Sequence, residues 1–329
     1  MSTLDILMAA AGTSGSSLNV SDVFSTLLYT PATASTESRI NGINLAEFGG
    51  MVWSKRRDST LNHYLADTSR GATNILIPNL TDGSTIGTRF QSFLTNGYTG
   101  VDDAGGSFVS WTFRKATKFF DVVTWTGDNT TRNISHSLGI TPGMIVVKRT
   151  NTASTQGWVV WHTSTGGTNN LLLNTSTSAA ALVNGRISAV TNTNFTVQAG
   201  STNNADVNAT GGTYVAYLFA HDTSADGIIQ CGTFLAPSSG ETTVNLGWEP
   251  QYVLMKCYQN TGGGWFIIDN MRGMVNGGND PYLLSNSSYI SETAGYNIIE
   301  PTSTGFNARS ILPNPGWNYI YLAIRKPTF

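Results

Sequence analysis

A chain of 329 residues that is 40% hydrophobic is long enough for two or three domains with real cores. Only 12% of it is charged, about half of the roughly 25% usual for globular domains, so Ser, Thr, Asn and Gly must cover its surface, as in extracellular fibres, lectins and virion proteins rather than in cytosolic enzymes. A net charge of −2 without a run of Lys or Arg leaves no basic footprint for nucleic acid, and no stretch approaches the roughly 20 apolar residues of a membrane span.

The chain opens M-S-T-L-D-I-L-M-A-A-A-G. Asp5 stands where a secretory signal has a basic residue, and the apolar run is short, so no signal peptide is expected and synthesis is expected in the cytoplasm. Residues 1–20 are predicted to be an assembly anchor in which Leu4, Ile6, Leu7 and Met8 pack on another subunit.

From there the sequence repeats. Met51–Lys55 (M-V-W-S-K), Met144–Lys148 (M-I-V-V-K) and Tyr252–Lys256 (Y-V-L-M-K) are apolar strands ending in lysine. They lie roughly a hundred residues apart, as do three closing strands, Phe108–Lys115, Tyr214–His221 and Tyr319–Lys326. Three tandem units follow, 21–116, 117–222 and 223–329. Each opens with a strand (Val23–Tyr29, Phe119–Thr126, Gly227–Phe234) and continues through a turn-rich connection to the lysine strand. A further strand begins on His63, Trp158 or Trp265. The Asn96-Gly97 pair marks a hairpin in the first unit. No window shows a helical period beyond the N-terminus, so the fold is predicted to be all-β, three antiparallel β-sandwich units of jelly-roll or lectin-like type. The closing strands are apolar on both faces, which predicts a central place in the sheet or a face against a neighbouring unit.

One polar motif recurs. Asp67-x-x-Arg70-Gly71 returns as Asp269-x-x-Arg272-Gly273, with His162-x-x-Thr165-Gly166 in the middle unit. An Asp at a strand end with Arg three residues on predicts an ion pair that pins the loop. Trp265 after three glycines, and Trp317 and Tyr319 after Pro313-Asn314-Pro315-Gly316, are candidate platforms for stacking a sugar; Trp158 and Trp265 read equally as core. Cys231 and Cys257 read as buried thiols on neighbouring strands. The loops at Asp102-Asp103, Asn203-Asn204-x-Asp206 and Asn279-Asp280 read as solvated turns, since none has a calcium-ligand spacing. No metal or cofactor site is predicted. Four scattered histidines and no nucleophile elbow or phosphate loop predict no enzyme. A glycosidase pair could be drawn from Glu292 and Glu300 with Asp269 or Asp280, but nothing singles them out.

The strings Phe48–Asp58 (F-G-G-M-V-W-S-K-R-R-D), Asp67–Asn74 (D-T-S-R-G-A-T-N), Gly139–Lys148 and Tyr214–Ala220, with L-M-A-A-A-G at Leu7–Gly12, resemble a family of repeat-containing virion proteins of tailed, mostly marine, bacteriophages. The resemblance covers nearly the whole chain and is looser in the third unit. It implies a structural protein of the tail or adhesion apparatus, located in the virion and acting by binding, with no catalytic residues. The implied partners are other virion proteins, copies of itself (a homotrimer) and host-surface polysaccharide. The alternatives are a capsid decoration or head-fibre protein and, further off, a polysaccharide depolymerase.

Overall fold

The structure is a computed structural model that describes residues 18–151, 156–167, 169–181, 186–200, 207–291 and 296–328. Leu4, Ile6, Leu7 and Met8 of the expected anchor lie outside these residues, as do Glu292 and the Asn203–Asp206 cluster. The described residues are all-β, in antiparallel sheets, with one short α-helix at Leu45–Phe48 that the Asn44 side chain caps.

The last third shows the pattern most plainly. Its first strand, Ile229–Leu235, pairs with the closing strand Asn318–Arg325, followed in the sheet by Pro250–Cys257, Phe266–Asp269 and Tyr282–Leu284. A second sheet runs Glu241–Asn245, Gly305–Arg309, Ile299–Thr302. The first third repeats both orders. Phe24–Tyr29, Phe108–Arg114, Gly50–Arg56 and His63–Asp67 form one sheet, and Thr36–Ile40, Gly97–Val101 and Ser92–Leu94 the other. In the middle third the larger sheet begins Phe120–Thr126, Thr213–Ala220, Pro142–Arg149, Val159–His162, and the smaller runs Arg132–Ser135, Asn194–Val197, Ile187–Ser188. The registers superpose: Phe24 faces Phe113, Phe120 faces Phe219 and Ile229 faces Ile324.

The closing strand is central in each larger sheet, which accounts for its two apolar faces. In the last third Tyr319, Tyr321 and Ala323 pack with Val244, Phe306 and Ala308 of the smaller sheet. Ile320, Leu322 and Ile324 alternate with them and enter a different core, one shared along the chain. Met51, Trp111 and Phe113 of the first third and Met144, Tyr217 and Phe219 of the middle third belong to it too. Phe113 alone touches both neighbours, its ring centre 5.5 Å from Phe219 and 6.0 Å from Tyr252.

Three local expectations are corrected. The turn-rich connections contain strands, Thr36–Ile40, Arg132–Ser135 and Glu241–Asn245, each burying one residue, Arg39, Ile134 and Val244. The Asn96-Gly97 hairpin turns one residue earlier, because Leu94 pairs with Gly97. Gly97 has φ +153° and a Cβ there would lie 2.0 Å from the Arg39 carbonyl oxygen, so glycine serves a close backbone approach rather than the turn itself. Cys231 and Cys257 are free and buried, but the closing strand lies between their strands and they face different cores.

Candidate functional site

Asp67 ends its strand, and its two carboxylate oxygens accept from the backbone N–H of Arg70 at 2.9 Å and from Arg70 Nε at 2.7 Å. Asp269 and Arg272 reproduce the pair at 2.9 and 2.7 Å, both side chains fully buried. The middle third builds the same loop without charge. His162 Nδ1 accepts from the Ser164 N–H at 3.1 Å, and Thr165 Oγ1 donates to the carbonyls of His162 and Asn169. Since Nδ1 accepts, the proton sits on Nε2.

Each of these loops also reaches a neighbouring third. The Tyr217 hydroxyl donates to Asp67 Oδ2 at 2.7 Å and accepts from Arg70 Nη2 at 3.3 Å. Trp111 Nε1 donates to Asp269 Oδ2 at 3.0 Å, and the Arg272 guanidinium lies 5.3 Å above the Trp111 ring. His162 Nε2 donates to the Tyr321 carbonyl at 3.1 Å. So the loop of the first third meets the closing strand of the middle one, that of the middle meets the last, and that of the last meets the first.

A second set of contacts follows the same circuit. Trp158 Nε1 donates to the Leu80 carbonyl and Trp265 Nε1 to the Leu172 carbonyl, each at 3.0 Å. His63 holds the corresponding position. Its Nδ1 accepts from Trp53 Nε1 at 3.0 Å and its ring lies beside the backbone of Leu284 and Ser287. The side chains of Asn79, Asn174 and Asn286 accept the backbone N–H of His63, Trp158 and Trp265 in turn.

The lysines that end the M-I-V-V-K strands are fully buried. Their ammonium groups donate to carbonyl oxygens, Lys55 to Arg56 and Ser59, Lys148 to Thr81 and Gln156, Lys256 to Ser176 and Gly263. Thr81 and Ser176 belong to the preceding third in each case. Loss of water around the charge draws all three amines down to about 8.

The first third departs from the other two between its sheets. Arg39 faces Tyr98 where Ile134 faces Phe195 and Val244 faces Phe306. Ser54 faces Ser110 where Val147 faces Ala216 and Met255 faces Tyr321. All four polar substitutes are buried. Asp102 holds Arg39, accepting from its Nη2 at 3.3 Å as well as from the Tyr29 hydroxyl at 3.0 Å and Arg89 Nη1 at 2.5 Å, while the Arg39 guanidinium lies 4.6 Å over the Tyr29 ring. This network went unread in the sequence. The available signal was the alignment of T-E-S-R-I with R-N-I-S and E-T-T-V-N, which sets an arginine against two aliphatic residues.

The sugar platforms need correction. Trp265 is 1% exposed and Tyr319 0%, both packed in the interior, so no ring face is open to a ligand. Trp317 alone stays accessible, at 44%. It belongs to a set of exposed apolar side chains concentrated on the last third, with Leu235, Met271, Tyr289 and Ile311. Asp280 and Glu300 are buried, Asp280 accepting from the N–H groups of Ile298 and Ile299 and Glu300 from Asn297. Among the described residues no three His, Cys, Asp or Glu side chains are grouped to hold a metal.

Residues 19–327 match the family described as a domain of unknown function (DUF7483), and the chain belongs to that family. No curated protein matches it. A solved structure with some likeness is that of the STIV MCP, 7% identical over 92% of this chain and 85% of that one, at a TM-score of 0.18.

Proposed function

We propose that this chain is a structural virion protein of a tailed phage, a component of the tail or adhesion apparatus that works by binding. The observation that carries the reading is the circuit of contacts among the thirds. Paired loops, Lys148 and Lys256, and the indole–carbonyl bonds of Trp158 and Trp265 hold one third against the next. A low-charge Ser/Thr/Asn surface and the likeness of its motifs to virion proteins support it. On this reading the thirds are β-sandwich units with limits near 21–116, 117–222 and 223–329, and residues 1–20 anchor the chain to other virion proteins. Pairing of the first strand with the last, and of the second with the last but one, is the roll-up of a jelly roll. The hairpin that stays in the larger sheet is where the order departs from it.

Host-surface polysaccharide is the proposed ligand of the last third, where Trp317 and its apolar neighbours are exposed. Trp317→Ala is expected to reduce adsorption of the purified protein to host cells and leave its melting temperature unchanged; equal adsorption would remove the glycan role. Gold-labelled antibody against the chain, applied to intact particles, is expected to mark the tail. Label on the head would favour a decoration or head-fibre role, and unlabelled particles that also lack the chain by mass spectrometry would end the virion reading.

A further inference from the structure

We infer that the three thirds close into a ring whose joint between last and first is a seam of the same kind as the other two, so that one chain makes internally the assembly that three copies of a single unit would make. The partner of each seam surface is then another third of the same polypeptide, and a monomer takes the place of the homotrimer that the family resemblance implies.

Three observations support this. The seams use equivalent parts. At each, the loop after the fourth strand of one third meets the closing strand of another, through Asp67 and Tyr217, His162 and Tyr321, or Asp269 and Trp111. The last-to-first seam forms although no chain link bridges it among the described residues, and without the lysine and indole bonds that cross the other two. Besides Trp111 and Asp269 it carries Phe24 against Tyr252 at 5.4 Å and the Ser291 N–H on the Arg57 carbonyl at 2.9 Å. Finally, the first and last described residues come together where a third link would run. Between first and middle thirds the closing strand ends at Arg114 and the next strand starts at Phe120; between middle and last the limits are Ala220 and Ile229. At the remaining joint the closing strand ends at Arg325, and Leu18, Asn19 and Val20 line one cleft of about 400 Å³ with Arg325, Lys326 and Thr328.

The test is a pair of circular permutants of the 329-residue chain. One runs 117–329 and continues directly into 1–116; the other runs 223–329 and continues into 1–222, residues 1–17 serving as the new link in both. Each is expected to sediment as a single 35.1 kDa species and to melt in one transition within about 5 °C of the parent, since no seam contact is lost. Failure of either permutant to fold, or a parent that is a stable trimer dissociating only as it unfolds, would overturn the ring. A measurement independent of permutation is the effect of Trp111→Phe and Tyr217→Phe in the parent. Each removes one donor to a buried carboxylate, and each is expected to lower the folding equilibrium constant roughly tenfold or more. A neutral Trp111→Phe beside a costly Tyr217→Phe would show the last-to-first seam open.

Discussion

Asp269→Ala is expected to lower stability by about 3–5 kcal/mol, the cost of breaking a buried ion pair from one side. The carboxylate holds the Arg272 N–H and Nε, and takes the Trp111 N–H from another third. Without it a fully buried guanidinium keeps only the Ile267 carbonyl and the face of Trp111, and its Nη1 has no partner even in the intact protein. Asp67→Ala should cost less. Arg70 retains the Asn74 carbonyl, Ser84 Oγ and the Tyr217 hydroxyl, and it lies nearer solvent. Removing both charges, as Asp269→Ala with Arg272→Met, should recover at least half of the loss, because the penalty comes from the stranded charge and not from the absence of the pair. Chemical denaturation of the four proteins decides it. A loss below about 1 kcal/mol for Asp269→Ala, or a double variant as unstable as the single, would mean that the pair does not bind the seam.

What was legible in the sequence is what repeats at fixed spacing with strong apolar character. The lysine strands, the strands after them and the closing strands stand at the predicted places, and their two-sided apolar pattern does reflect burial on both faces, which in the last third divides between two cores. The second strands were invisible because T-E-S-R-I and E-T-T-V-N bury a single residue each, too little for a period of two to show. The seams were invisible for a different reason. A repeat announces copies but not how copies face one another, and Asp269 and Trp111 are far apart in the chain. Trp265 misled through its glycines. They suggested an exposed loop edge, yet a Cβ on Gly264 would lie 2.7 Å from Leu284 Cδ2, and one on Gly157, before Trp158, 2.9 Å from Leu172 Cδ2. These glycines make room for neighbouring strands to pack and do not lift the indoles into solvent.

Acid should open the ring through its histidines. Burial holds His63 down to about 3 and His162 to about 4, against an ordinary value of 6.5. Both donate or accept in fixed neutral form, and neither has room for a second proton. For a group whose folded value is depressed, the unfolded chain binds more protons below 6.5, so stability is full above that pH and falls as pH drops towards the folded values. At pH 4.5 the two rings together cost about 5 kcal/mol relative to pH 7. Asp280 acts in the opposite sense. Burial, with Glu300 nearby, raises its carboxyl to about 6, so the folded state takes up that proton first and regains about 2 kcal/mol at the same pH. The three buried lysines are charged in both states throughout this range and add no slope. These three groups together predict a loss of about 3 kcal/mol between pH 7 and 4.5. In His162→Asn, whose side-chain oxygen can still accept the Ser164 N–H, most of that loss should disappear. Urea titrations of both proteins across the interval measure it directly. A parent whose midpoint is flat from pH 7 to 4.5, or a variant that falls as steeply as the parent, would show that the seam histidine is not what acid attacks.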